Sequence, residues 1–137
     1  MQRLIDEAGL SGEVTLDSAG TGHWHAGELA DSRTRAAAAK RGIAITHRAR
    51  QLVAADLERF DLVIAMDSNN LAAIHRMRGK RDAPQVQMLR AFDATAPDGA
   101  EVPDPYAGGP AGFDHVLDLC ERACRGLVAH IREQRRD

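Results

Sequence analysis

The sequence lacks the features that mark secreted, membrane-bound or nucleic-acid-binding proteins. It has only two cysteines in 137 residues, too few for a disulfide framework. Basic and acidic residues nearly balance, 18 against 20, so the net charge favours neither nucleic acid nor a membrane surface as a partner. No apolar run approaches the roughly 20 residues that span a bilayer, and no signal peptide is visible. These absences favour a reducing cytoplasm.

The composition that remains is typical of a globular protein. Hydrophobic residues make up 44% of the chain and charged residues 28%. A length of 137 residues provides for one hydrophobic core and not two, so we expect one domain over residues 1–137. Cys120 and Cys124 lie one turn apart on a helical pattern, where they indicate small buried side chains.

Helix and strand patterns alternate along the chain. Apolar periodicity and capping residues predict helices over residues 1–10, 31–42 and 67–79, and from residue 113 onward. Short apolar or β-branched runs predict strands over residues 13–20, 60–66 and 86–90. This order predicts an α/β fold in three layers, a parallel sheet flanked by helices. The chain opens inside a helix with no cap and no strand before it, so we expect the first strand to be missing.

The sequence predicts the N-cap of one helix and the apolar face of another. The Ala-rich helix begins at either Asp31 or Ser32, since both residue types are good N-caps. The helix of residues 67–79 places Leu71, Ile74 and Met77 on one face, which we expect to be buried.

Three polar segments follow predicted strands and would meet at the carboxyl edge of the sheet, where open α/β folds bind ligands. They are residues 18–34, 46–52 and 103–106. Trp24 lies in a Gly-flanked polar loop, where it either walls a binding cleft or seals the end of the sheet. His23 and His25 form an H-x-H pair without carboxylate or cysteine partners, which is weak support for a metal site.

Asp104 is the other unusual feature. Pro103 precedes it and Pro105 follows it, and Tyr106 comes next. Asp-Pro is common turn chemistry, so an ordinary loop explains the dipeptide alone. A second reading is that the two prolines stiffen the backbone on both sides of a functional carboxyl group.

Taken together, these segments resemble the low-molecular-weight protein tyrosine phosphatase family. The resemblance rests on DSAGTGHWHAG, HRARQ, FDLVIAMDSNNL, DPY and the C-terminal helix with its CRGL sequence. Each motif is modest, but they occur in the family's order and spacing over nearly the whole chain.

The resemblance implies a role for each candidate residue. Asp104 would be the general acid that protonates the leaving phenolate while phosphate passes to a cysteine. Trp24 and Tyr106 would be the aromatic walls for a phosphotyrosine ring, and His25 occupies the variable position that tunes substrate preference. Ser18 and His47 would brace the phosphate loop through hydrogen bonds. The implied substrate is a phosphotyrosine protein or a small aryl phosphate, and the chemistry needs no metal or organic cofactor.

The family's nucleophile is not in this sequence. It belongs to a C-x5-R-S/T loop, whose backbone N–H groups and arginine hold the phosphate. Arg125 follows Cys120 with four intervening residues instead of five, and both lie within a predicted helix. We therefore expect negligible activity from the chain as printed, through a misplaced start site, deliberate truncation or natural inactivation. In the family the missing first strand lies inside the sheet, so its loss would leave a gap with exposed strand edges. We therefore expect a dimer or strand-swapped assembly, a rearranged sheet or marginal stability.

Two alternatives to the phosphatase stay open. An arsenate reductase of the same fold needs further cysteines in a mobile segment, and residues 79–100 contain none. A non-catalytic remnant that serves protein contacts or dimerisation is the other, and the missing nucleophile favours it.

Overall fold

Helices surround a short parallel sheet in the computed structural model, which describes residues 1–21, 27–29, 31–46, 48–81, 84–103 and 109–136. The side chains of the last helix are described for residues 112–134. In chain order the elements are α1 (Gln2–Glu7), α2 (Ser32–Ala39), α3 (Asp56–Arg59), β1 (Leu62–Ala65), α4 (Ser68–Arg78), β2 (Gln85–Met88), a 3-10 helix (Leu89–Phe92) and α5 (Gly109–Arg136).

The sheet of the described residues has two parallel strands, with Leu62 of β1 opposite Gln85 of β2 and Ala65 opposite Met88. The crossover helix α4 connects them, because parallel neighbours cannot be joined by a tight turn. This β1–α4–β2 unit confirms the predicted α/β fold class.

Local capping chemistry sets the helix boundaries. Asp31, rather than Ser32, caps α2 by accepting a hydrogen bond from the backbone N–H of Arg33 at 2.8 Å. Asp67 caps α4 in the same way, accepting from the N–H of Asn70 at 2.8 Å. Gly79 ends α4 with a φ of +65°, a conformation that side chains with a Cβ adopt at a cost. These ends agree with the sequence prediction.

Several predicted details are wrong. Residues 14–19 form no strand, although residues 13–20 have strand-like composition, because a strand needs a neighbour to complete its hydrogen bonds. Met77 is 36% exposed, so only Ile74 and, in part, Leu71 of its predicted face are buried. β2 ends at Met88 because Leu89–Phe92 turn into the 3-10 helix. The prediction also missed the single turn of α3.

The apolar side chains form two clusters. The first joins α1 to α5 across the 3-10 helix and contains Leu4, Ile5, Leu10, Leu89, Ala123, Cys124, Leu127 and Val128. The second lies between the sheet and α4 and contains Leu57, Ala65, Ile74 and Met88. Exposed ion pairs support the first cluster, since Arg3 contacts Glu121 at 3.1 Å and Arg41 contacts Asp118 at 2.9 Å. No helix in the described part of the chain is long and apolar enough to cross a membrane.

Gly126 allows α5 to lie directly against the 3-10 helix. A Cβ at this position would lie 1.8 Å from the carbonyl oxygen of Phe92 and 2.8 Å from its carbonyl carbon. Both are backbone atoms, which cannot rotate away as a side chain can. The close approach therefore depends on the missing side chain at residue 126.

We expect Gly126→Ala to destabilise the protein by about 3 kcal/mol, because the clash forces the two elements apart. Helix propensity alone predicts the opposite sign, a gain of about 1 kcal/mol for Gly→Ala. Urea unfolding followed by circular dichroism measures the difference. Gly12→Ala is the matched control, since nothing lies within 4 Å of its Cβ position. A stable Gly126→Ala variant would contradict the packing described here.

Candidate functional site

Backbone hydrogen bonds join the first two segments that the sequence predicts to meet. The N–H of Gly20 donates to the carbonyl of Arg50 at 2.8 Å, and the N–H of Leu52 donates back to Gly20 at 2.8 Å. Further along, the N–H of Gly27 donates to the carbonyl of Ala49 at 2.7 Å. The described residues on both sides of the 22–26 stretch are therefore held against residues 48–52.

The residues just before the third segment are anchored at the carboxyl end of β1. The N–H of Val102 donates to the carbonyl of Met66, the residue after β1, at 2.7 Å. The Glu101 carboxylate accepts a hydrogen bond from the N–H of Ser68 at 2.8 Å, at the start of α4. Arg90 donates to the carbonyl of Glu101 at 2.9 Å. The chain that leads into Asp104 is thus fixed at the edge where the predicted site lies.

Of the predicted site residues, the structure describes only Ser18. It is exposed, and its N–H donates to the Asp17 carboxylate at 2.7 Å. The other candidates lie outside the described residues and stay predictions: Trp24, His25, His47, Asp104 and Tyr106.

Arg50 connects two carboxylates beside Ser18. Its guanidinium makes two parallel hydrogen bonds to Asp56, at 3.0 and 3.1 Å, and a third contact with Asp17 at 3.1 Å. Asp56 is 2% exposed and also accepts from the N–H of Val53 at 2.8 Å. Planar two-point pairing of this kind fixes orientation as well as distance. Because two carboxylates already engage its guanidinium, we assign Arg50 to holding the loop and not to binding phosphate.

The electrostatics of this cluster follow from its hydrogen bonds. The side-chain hydrogen bonds from Arg50 lower the pKa of Asp56 from its usual value, more than burial raises it. The pKa of Asp17 is also lowered, first by the N–H of Ser18 and then by Arg50. Both carboxylates favour the charged form, so neither is suited to donate a proton near neutral pH.

A cavity of about 350 Å³ opens beside this cluster. Its walls come from residues 15–19 on one side and from β1 on the other, with Arg50 and Asp56 also in the lining. Ser18, Met66 and Asn70 line it as well, so it reaches the carboxyl end of β1.

Neither cysteine is suited to be a nucleophile. Burial, chiefly, raises the pKa of Cys120 to about 11 and also raises the pKa of Cys124. A thiol must ionise to attack phosphorus, so both are protonated at neutral pH. Cys124 is buried and Cys120 is partly buried, and both pack in the first apolar cluster, as expected of structural side chains. Within the part of the chain that the structure describes, no group of three His, Cys, Asp or Glu could hold a metal ion. His23 and His25 lie outside that part.

Comparison with known proteins identifies the class to which this fold and site belong. The family model described as "Low molecular weight phosphotyrosine protein phosphatase" matches residues 1–137. The chain belongs to that family, which confirms the resemblance seen in the sequence.

Individual relatives agree with this assignment. The chain is 46% identical over 132 residues to a low molecular weight protein-tyrosine-phosphatase of Streptomyces coelicolor, covering 95% of this chain and 80% of the relative. It is 39% identical over 135 residues to a putative phosphatase of the same class from Synechocystis, covering 98% and 85%. A crystal structure of the Entamoeba histolytica protein tyrosine phosphatase superposes with a TM-score of 0.91 at 33% identity, covering 98% and 85%.

Sequence reasoning missed the cluster of Asp17, Arg50 and Asp56. Two of these residues lie inside quoted motifs, DSAG and HRARQ, but nothing periodic links them to Asp56. A usable signal was the position of Asp56 between apolar neighbours, because a buried acid needs a cation or several donors.

We expect Asp56→Asn to cost about 2 kcal/mol at pH 7, because it removes the charge that pairs with Arg50. The wild-type contribution depends on pH in a defined direction. A lowered folded-state pKa gives stability that is fully present above the unfolded carboxyl pKa of about 3.9 and is lost as pH falls through the folded value. Urea unfolding at pH 7, 5 and 3 should therefore show the two proteins converging in acid. Asp98→Asn, in an exposed turn, is the control, and an equal effect from both substitutions would refute the role of Asp56.

Proposed function

We propose that this chain carries the acid and substrate-binding part of a low-molecular-weight protein tyrosine phosphatase, in one domain over residues 1–137. The reaction is hydrolysis of a phosphotyrosine protein or small aryl phosphate through a cysteinyl-phosphate. The observation that carries the proposal is the family match over residues 1–137. The proposed location is the cytoplasm.

Asp104 is the proposed general acid. The hydrogen bond between Val102 and Met66 supports this role, because it fixes the chain two residues before the acid. Pro103 and Pro105 restrict the backbone on both sides of it. A fixed carboxyl group can stay within hydrogen-bond reach of a departing phenolate oxygen.

The substrate ring is proposed to bind between Trp24 and Tyr106, with His25 tuning the preference among substrates. The hydrogen bonds of Gly20 and Gly27 to residues 49 and 50 support this proposal, because they fix the chain on both sides of the 22–26 stretch. Ser18 and His47 are proposed to hold the phosphate loop. The contact of Asp17 with both Ser18 and Arg50 supports the first of these roles.

The 137-residue polypeptide is proposed to have negligible activity alone. The sequence has no C-x5-R segment, and its two cysteines, one buried and one partly buried on α5, have raised pKa values. Without a thiolate no phosphoenzyme forms, and Asp104 has no leaving group to protonate.

We expect no hydrolysis of p-nitrophenyl phosphate above background by the printed chain. A chimera that carries the C-x5-R segment of the Streptomyces relative ahead of Met1 should be active, because it supplies the nucleophile. In that chimera Asp104→Asn should lower kcat by about 100-fold or more, since general acid catalysis contributes about that much. Asp98→Asn should leave kcat unchanged. Turnover by the printed chain, or an active chimera insensitive to Asp104→Asn, would refute the proposal.

A second candidate function is self-association as a non-catalytic module. Among the described residues β1 pairs with β2 only, and its other edge favours this function, since strand edges pair readily with other chains. In this proposal the chain forms a dimer or strand-swapped assembly through that edge.

Light scattering after size-exclusion chromatography should show a dimer fraction that grows with concentration. Met66→Lys should reduce this fraction, because it places a charge beside the edge at a residue already 43% exposed. Met77→Lys, at a residue 36% exposed and outside the cavity lining, is the control. A monodisperse monomer at all concentrations would contradict this proposal.

A further inference from the structure

Hydrogen bonds from three elements converge on the peptide group that joins Glu101 to Val102. The N–H of Val102 donates to the carbonyl of Met66, just after β1, at 2.7 Å. The carbonyl of Glu101 accepts from the guanidinium of Arg90, in the 3-10 helix, at 2.9 Å. The carboxylate of Glu101 accepts from the N–H of Ser68, the first residue of α4, at 2.8 Å. We call these three bonds the Glu101 anchor.

The three bonds of the Glu101 anchor fix orientation as well as position. The N–H and C=O groups of a trans peptide point in opposite directions, and here both are bonded. These two bonds still allow the peptide plane to turn about the line that joins them. The carboxylate of Glu101 lies off that line, so its bond to Ser68 opposes the rotation.

The start of α4 does not depend on Glu101. Asp67 already caps this helix by accepting from the N–H of Asn70. Ser68 is exposed, so water can satisfy its N–H, as it does at many helix starts. Glu101 is exposed as well, and ordering a glutamate side chain costs about as much as such a bond returns. The bond therefore adds little to global stability, and its main effect is to hold residue 101.

The proposed general acid follows the anchor by two residues. Two residues of extended chain reach about 7 Å, so a rotation of about 10° at Val102 moves the end of that stretch by about 1 Å. A misplacement of about 1 Å can cost a reaction about 100-fold in rate. Pro103 fixes its own φ and restricts Val102, so these residues have little freedom to compensate.

We propose that Glu101 is a positioning residue for the general acid. Its carboxylate holds the peptide group before Pro103 against the start of α4, and this keeps Asp104 within reach of the departing oxygen. Arg90 supports the same peptide group through the carbonyl of Glu101. The inference rests on the proposed role of Asp104, and it assigns Glu101 no contact with the substrate.

The first test uses the 137-residue chain and needs no activity. Glu101→Ala removes the acceptor of the Ser68 N–H, whereas Glu101→Gln keeps an amide oxygen in its place. Amide hydrogen exchange measured by NMR reports each bond separately. We expect Glu101→Ala to speed exchange about tenfold at Val102 as well as at Ser68, because rotation of the peptide group opens the bond to Met66. Glu101→Gln should keep most of the protection.

A matched variant controls for the lost charge. Glu133 is exposed on α5, and Glu133→Ala removes the same charge away from the anchor. It should leave exchange at Ser68 and Val102 unchanged. Urea unfolding should give the same midpoint for the wild type and Glu101→Ala, which shows that the fold is intact.

The second test uses the chimera that carries the C-x5-R segment. Phenol is a weaker acid than p-nitrophenol, so its phenolate depends more on a proton from Asp104. Glu101→Ala should lower kcat/KM about tenfold for phenyl phosphate and much less for p-nitrophenyl phosphate. A loss of folded protein would lower both equally. Glu101→Gln should restore most of the activity, and Glu101→Ala should add nothing once Asp104→Asn is present, because the two residues act as a unit.

Two results would overturn the inference and leave the proposed function intact. One is faster exchange at Ser68 alone, which indicates an ordinary helix contact. The other is an equal effect of Glu101→Ala on both substrates, or none, in a chimera that Asp104→Asn impairs. A chimera that Asp104→Asn does not impair would instead overturn the proposed function, and with it any catalytic consequence of the anchor.

Discussion

The guanidinium of Arg50 joins the two segments on which the site is built. It holds Asp56 on one side and Asp17 on the other, and Asp17 in turn fixes the backbone of Ser18. Removing this cation leaves Asp56 buried with one backbone donor, and an uncompensated buried charge is costly. The described residues on both sides of the 22–26 stretch are held against residues 48–52, next to this contact.

Features set by local chemistry were predictable from the sequence. The caps Asp31 and Asp67 and the periodic apolar face of α5 depend on neighbours within one helical turn. The strand at residues 13–20 was predicted wrongly because strand formation depends on a partner that composition does not reveal. Met77 has the correct spacing for a buried face, but the core does not extend to the last turn of α4.

For the site, too, some features were predictable from the sequence and others were not. The meeting of the three polar segments is a prediction from strand order. The described residues confirm it for the first two segments, and the residues just before the third are anchored at the carboxyl end of β1. The apolar neighbours of Asp56 indicate a buried acid that needs a partner, but they do not identify Arg50 as that partner, because residues six apart in irregular chain have no fixed geometry. The cysteines were read correctly as structural, since helical spacing placed them on one face, where Cys124 is buried and Cys120 partly buried. The proposed roles of Asp104, Trp24 and Tyr106 rest on the family resemblance and not on spacing.

The two apolar clusters differ in how far apart their members lie in the chain, which implies an order of assembly. The cluster of Leu57, Ala65, Ile74 and Met88 lies within a short stretch of sequence, so its loops close at low entropic cost. The cluster that contains Leu4 and Val128 joins residues from opposite ends of the chain. During synthesis the β1–α4–β2 unit can form while α5 is still on the ribosome, whereas α1 waits with its apolar face uncovered. We expect the apolar face of α1 in the nascent chain to need protection from non-specific association. This requirement is not visible in the finished fold, where α5 covers that face.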